Sequence, residues 1–124
     1  MLITASTGSF LAGPNMSAYY ASKFAVLGFA EGYLRELRGT GVSLHLLCPG
    51  PVKTDLFRGK RRIAWPNEVP GQPLSDSIDH GMEPKRVAEI ALAGLVRGVR
   101  HIFTHPETKP QLETHFGRVL DAFD

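Results

Sequence analysis

Apolar side chains fall in three compact runs separated by longer stretches of helical periodicity. Met1-Leu2-Ile3-Thr4-Ala5 reads as a first strand, and Val42-Ser43-Leu44-His45-Leu46-Leu47-Cys48 is nearly continuous in its apolarity, as expected of a parallel strand covered on both faces. A shorter run, His101-Ile102-Phe103-Thr104, is broken by His105-Pro106. Between the first two runs, from Ser17 to about Arg38, Tyr20, Val26, Leu27, Ala30, Tyr33, Leu34 and Leu37 make a broad apolar arc on a predicted helix. Glu83-Pro84 reads as a second helix start, since proline at the first helical position gives up no needed amide. Its buried stripe is Val87, Ile90, Ala91, Gly94 and Leu95, and Gly98 ends it. A last helix from about Pro110 to Phe123 is expected to bury Leu112, Phe116, Val119, Leu120 and Phe123. The order strand, helix, strand, helix, strand, helix predicts an α/β fold, a doubly wound parallel sheet with right-handed crossovers.

Two features depart from that regular pattern. Ala21, Ala25, Gly28 and Gly32 form a second stripe on the first helix, and each interior glycine costs about 1 kcal/mol of helix stability. Close approach of another backbone would offset this, either the chain's own sheet or the same helix of a second copy. Residues 55–83 show no sustained periodicity and contain Arg58, Lys60, Arg61, Arg62, Trp65 and three prolines, Pro66, Pro70 and Pro73. A long irregular insertion within one compact domain is usually functional or disordered.

Composition narrows the classes. A chain of 124 residues with 43% hydrophobic side chains is one domain's worth. A net charge of +2 is too mild to make nucleic acid or an anionic membrane the main partner. The basic cluster between Arg58 and Arg62 reads as a solvated loop. No apolar run approaches the ~18 residues of a membrane span, and no signal peptide is visible. The single cysteine, Cys48, has no internal disulfide partner, so a cytoplasmic location is expected. Cys48 and His45 read as core residues of the second strand. His101, His105 and His115 match no known two-histidine metal spacing, so no metal site is expected.

The chemistry concentrates near the start. On a helix beginning near Met16 or Ser17, Tyr19 and Lys23 stand one turn apart on one face. A tyrosine hydroxyl, with an ordinary pKa of ~10, exchanges protons poorly at neutral pH unless a nearby cation favours the phenolate. Lys23 can supply that cation. Ser6 ends the first apolar run, thirteen positions before Tyr19. Its hydroxyl would sit at the carboxyl end of a strand, where open parallel sheets collect ligands. Tyr20 shares the face of Lys23 as well, and spacing on the helix alone does not choose between the two tyrosines.

A strand ending in serine, a loop with Gly8, Gly13 and Pro14, Tyr-x-x-x-Lys opening a long helix, and a buried strand ending in Pro49-Gly50 together resemble the short-chain dehydrogenase/reductase family. The likeness runs over nearly the whole chain and is most specific from Ile3 to Leu56. It implies an NAD(P)-dependent oxidoreductase that interconverts an alcohol and a ketone or aldehyde by hydride transfer, with NAD or NADP as cofactor and a small-molecule substrate. The family's spacing selects Tyr19 as the acid/base. Ser6 would hold the substrate oxygen, and Lys23 would lower the tyrosine's pKa and bond the cofactor ribose. Pro49-Gly50-Pro51-Val52-Lys53-Thr54 resembles the family's Pro-Gly-x-x-x-Thr loop, in which backbone near Val52 and the Thr54 hydroxyl would meet the nicotinamide carboxamide. Residues 55–83 fall where relatives keep a variable substrate-covering segment, and Trp65 would wall the pocket. The resemblance also implies a homo-oligomer through the helix at 17–38.

The family's glycine-rich turn, which meets the cofactor pyrophosphate, has no counterpart here. Gly39-Thr40-Gly41 follows a helix and reads as its C-cap and connection. The expectation is therefore a Rossmann-like partial domain over 1–124, the carboxyl-terminal half of such an enzyme. The alternative is a non-catalytic fragment or interaction module that pairs with a full-length relative.

Overall fold

The computed structural model describes residues 1–14, 16–55 and 78–123. Three short strands, β1 (Leu2–Thr4), β2 (His45–Cys48) and β3 (His101–Phe103), form a parallel sheet in the order β1-β2-β3. Helix α1 (Ser17–Glu36) connects β1 to β2; α2 (Pro84–Val96) precedes β3; and α3 (Lys109–Leu120) follows it. The expected order of elements and the parallel sheet are both present.

Alternation along β2 decides which helix covers which face. Leu46 and Cys48 point to one side, where they join Ala5, Leu44 and Ala30 under the α1 residues Val26, Leu27, Tyr33 and Leu34. Leu47 points to the other side with Ile102, against Val87 and Ala91 of α2. The central strand is buried along its whole length, which is why its sequence, His45 apart, runs apolar. His45 fits that strand because both ring nitrogens have partners, the Val99 carbonyl at 2.7 Å and the Ser43 hydroxyl at 3.1 Å.

The α2 helix comes close to the sheet through Gly94, where a Cβ would stand 2.7 Å from Ile102 Cγ1 and Cδ1. It ends in a Schellman turn: Gly98 has φ +67°, its N–H bonds the Leu95 carbonyl at 3.0 Å, and Val99 N–H bonds the Gly94 carbonyl at 2.9 Å. After α1, Gly39 and Gly41 at φ +80° and +77° form the expected connection.

Three expectations need correcting. The second strand begins at His45 rather than Val42, because its ladder with β1 starts at the Leu2–His45 pair. The last helix does not bury its apolar stripe: Phe116, Val119, Leu120 and Phe123 are 44–85% exposed and Leu112 is half-buried. On the sheet, α1 packs on one face and α2 on the other against β2 and β3, whereas α3 lies beside the loop at Leu11 and Ala12. Nor, among the described residues, does other backbone approach Gly28 or Gly32, since a Cβ at either would meet nothing within 4 Å. Trp65 and the Arg58–Arg62 cluster lie outside the described residues.

Candidate active site

The carboxyl end of β1 and the first turns of α1 build the site. After Thr4 the chain leaves the sheet through Ala5 and Ser6, still tied to β2 by the Ala5 N–H to the Leu47 carbonyl at 2.8 Å. It then makes a tight 3-10 turn over Thr7–Ser9. Ser6 caps that turn, its Oγ accepting the Gly8 N–H at 3.0 Å, which fixes the side chain at the sheet rim. The α1 helix begins at Ser17, and its first intrahelical bond runs from Tyr20 N–H to the Met16 carbonyl at 3.0 Å. Tyr19 thus sits in the first turn and leans back toward the strand from which the chain came.

There the hydroxyls meet. Tyr19 Oη donates to Ser6 Oγ at 3.1 Å, and Ser6 Oγ lies 3.5 Å from the Pro49 carbonyl, a long contact. Ser6 is 7% exposed, whereas Tyr19 and Lys23 are half-buried and open on one side. Lys23 Nζ stands 5.8 Å from the centroid of the Tyr19 ring, as the four-residue spacing dictates. Gly8 packs beneath both tyrosines, for a Cβ there would stand 3.2 Å from Ser6 Oγ, Tyr19 Cε1 and Tyr20 Cδ1. Tyr20, the second tyrosine on this face, instead places its hydroxyl beside Gly13, where an added Cβ would stand 3.2 Å from it. The structure therefore puts Tyr19, and not Tyr20, against Ser6.

The loop after β2 lies at the same rim. Thr7 N–H bonds the Pro49 carbonyl at 2.9 Å, joining the two strand ends. Further along, Val52 pairs with Met82 in a parallel bridge, built from Lys53 N–H to the Met82 carbonyl and Met82 N–H to the Pro51 carbonyl, each at 3.0 Å. Those bonds use the amide of Lys53 and the carbonyl of Pro51, so the N–H and C=O of Val52 face the opposite way. Gly81 is required there, because its Cβ would stand 2.8 Å from the Pro51 backbone. Lys53 adds an exposed ion pair with Glu83 at 2.9 Å. Thr54 is exposed at the end of this loop.

Two supporting residues had no local sequence signal. His105 places its Nδ1 3.0 Å from Gly50 N, and Met82 braces Val52, across 55 and 30 residues of chain respectively. His105 does not share a metal site with His101 and His115: among the described residues no group of three potential ligands converges. Cys48, fully buried within β2, has its thiol pushed up to about 12 by desolvation, which leaves it neutral and unreactive. No described helix is long and apolar enough to cross a membrane.

Residues 1–64 match the family model described as short chain dehydrogenase. The chain is 44% identical over 119 residues to 1-deoxy-11-beta-hydroxypentalenate dehydrogenase of Streptomyces exfoliatus, covering 96% of this chain and 40% of that protein. It is 31% identical over 123 residues to C alpha-dehydrogenase of a Sphingobium species, covering 93% of this chain and 39% of that protein. A short chain dehydrogenase/reductase from Burkholderia phymatum, solved in complex with NAD, superposes with a TM-score of 0.76 at 28% identity over 90% of this chain and 44% of that one. The chain thus spans about two fifths of the length of these relatives.

Proposed function

The chain belongs to the short-chain dehydrogenase family, and on that premise we propose that it carries the reaction centre of an NAD(P)-dependent oxidoreductase that interconverts an alcohol and a ketone or aldehyde. The observation that supports this reading most is the 3.1 Å contact between the Tyr19 and Ser6 hydroxyls with the Lys23 ammonium beside the phenol ring. A substrate oxygen placed between the two hydroxyls would take a hydrogen bond from each. In the reducing direction Tyr19 gives its proton to that oxygen, and in the oxidising direction it takes the proton back. Ser6 holds the oxygen in line, and its backbone-anchored hydroxyl needs little reorganisation. Lys23 offsets the negative charge that develops on the phenol oxygen as its proton leaves.

The residues present suit the nicotinamide end of a dinucleotide. A bound NAD or NADP would supply the two-electron chemistry, giving or taking a hydride at the substrate carbon. Lys23 would bond a ribose hydroxyl, while Pro49, Gly50, the outward-facing backbone of Val52 and the Thr54 hydroxyl would hold the carboxamide. The Streptomyces relative is named as a dehydrogenase of a hydroxylated carboxylate, and the Burkholderia protein was solved with NAD. Both are consistent with a small-molecule alcohol as substrate.

The exposed side of α1 supports a further part of the reading, a homo-oligomer formed through this helix. Phe24 and Phe29 are 40% and 59% exposed, and Gly28 and Gly32 between them leave room for a second backbone. A cytoplasmic location, suited to a chain with one thiol, completes the proposal.

Titration with NADH, followed by nicotinamide fluorescence, tests cofactor binding. Tyr19→Phe should lower kcat by roughly 10²–10⁴-fold, the usual contribution of a general acid, while leaving NADH binding within about twofold. Lys23→Ala should weaken both. Full turnover in Tyr19→Phe would show that the proton comes from elsewhere.

A further inference from the structure

His105, at the carboxyl end of β3, has no part in the chemistry just described, yet it is built into the same rim. The residue is 7% exposed. Its Nδ1 receives the Gly50 N–H at 3.0 Å and lies 2.7 Å from Thr104 Oγ1, itself buried at 2% exposure. The contact with Gly50 fixes the state of the ring. A backbone amide can only donate, so Nδ1 must offer its lone pair, and the imidazole is neutral with its proton on Nε2. The Thr104 hydroxyl, free to rotate, can donate to the same nitrogen. Ring and turn also fit closely, for a Cβ on Gly50 would stand 2.7 Å from His105 Cγ.

The peptide held in this way is the one next to the site. Pro49, immediately before Gly50, offers its carbonyl to the Thr7 N–H at 2.9 Å and to the Ser6 hydroxyl at 3.5 Å, and Ser6 in turn meets Tyr19. On the other side of Gly50, the Pro51 carbonyl enters the bridge to Met82. The bridge secures the far end of the loop, and His105 secures the near end.

We propose that His105 is a positioning residue: its neutral Nδ1 anchors the Gly50 amide, and this sets the Pro49 carbonyl that orients Ser6 and the backbone at Val52 that would face the nicotinamide. The catalytic consequence rests on the oxidoreductase reading above; the anchoring itself rests only on the contact between the ring and Gly50.

The test uses the full chain and three substitutions. His105→Asn places a carbonyl oxygen near the position of Nδ1; His105→Gln reaches instead toward the position of Nε2; His105→Leu has no acceptor. Hydrogen exchange at the Gly50 amide is read by NMR, and kcat and KM are measured alongside. His105→Leu and His105→Gln should speed Gly50 exchange by about tenfold, the loss of one net hydrogen bond, with a comparable fall in kcat. His105→Asn should restore both. In the unsubstituted protein, the ring ¹⁵N shifts should show Nδ1 without a proton, a measurement that needs no variant to fold. A proton on Nδ1, unchanged Gly50 exchange in a folded His105→Leu protein, or equal losses in the Asn and Leu variants would overturn the proposal. An unsubstituted chain without turnover would refute the oxidoreductase reading, while the exchange and ring-nitrogen data would still decide the anchor.

Discussion

Replacing Gly28 and Gly32 by alanine asks directly what covers the outer side of α1. Both glycines lie within the helix, both are exposed, and a Cβ at either meets nothing within 4 Å. Among the described residues nothing therefore opposes the change, and each substitution should recover the intrinsic helix penalty of glycine, about 1 kcal/mol. With a urea slope near 2 kcal/mol/M, typical for a small domain, the pair should raise the midpoint by on the order of 1 M. Leucine has nearly the helix propensity of alanine, so in dilute, dissociated protein Gly28→Leu and Gly32→Leu should stabilise as well. In concentrated protein the proposal of a shared α1 interface predicts the reverse for leucine, because added bulk keeps a second helix from approaching. Urea titrations by circular dichroism at two protein concentrations, with sedimentation velocity at each, separate the two effects. Destabilisation by alanine in dilute solution would refute the open-space argument. A leucine variant that associates as before would refute the interface.

Two further outcomes follow from burial. Cys48 keeps its proton in the native state up to about pH 12, while the unfolded thiol ionises from 9.0. Between those values the native state binds the extra proton, so this group's contribution to stability falls as pH rises, by up to roughly 1.4 kcal/mol per unit, and is constant below that window. Comparing urea midpoints of the unsubstituted chain and Cys48→Ala from about pH 8 to 11 isolates the effect; parallel slopes would contradict it. Gly94→Ala sets the same gain of about 1 kcal/mol in helix propensity against overpacking on Ile102 that costs about 1–3 kcal/mol, and a net loss is expected. Adding Ile102→Val removes Cδ1, one of the two carbons at 2.7 Å, and should recover part of that loss in a double-mutant cycle read by thermal denaturation.

The sequence showed those features whose causes are local. A nearly continuous apolar run specifies β2, because both faces of that strand are covered. Tyr19 and Lys23 meet because four residues make about one helical turn, and the contact between Tyr19 and Ser6 follows from a strand end and a helix start lying thirteen residues apart. Helical periodicity identified α3 as amphipathic, but periodicity carries no information about what the stripe faces, and Phe116 and Leu120 turned out exposed. The start of β2 was misplaced for a related reason: Leu44 is buried like a strand residue but has no ladder partner, since β1 is only three residues long. The supports of the loop after β2 were illegible because each joins residues far apart in sequence. Nothing near His105 signals Gly50, and nothing near Met82 signals Val52.

The bridge between Val52 and Met82 has a consequence for how such a scaffold can diversify. It brings together the two ends of everything from Lys53 to Gly81 at the ladder itself, so the join between chain and insert is made by main-chain atoms, with a glycine at position 81 where the two backbones leave no room for a Cβ. Doubling the length of a flexible insert closed in this way adds only about 0.6 kcal/mol of closure entropy. Stretches of different length and composition could therefore be grafted at this port while the sheet rim behind it keeps its shape, letting preference for one compound over another evolve separately from the proton-handling groups.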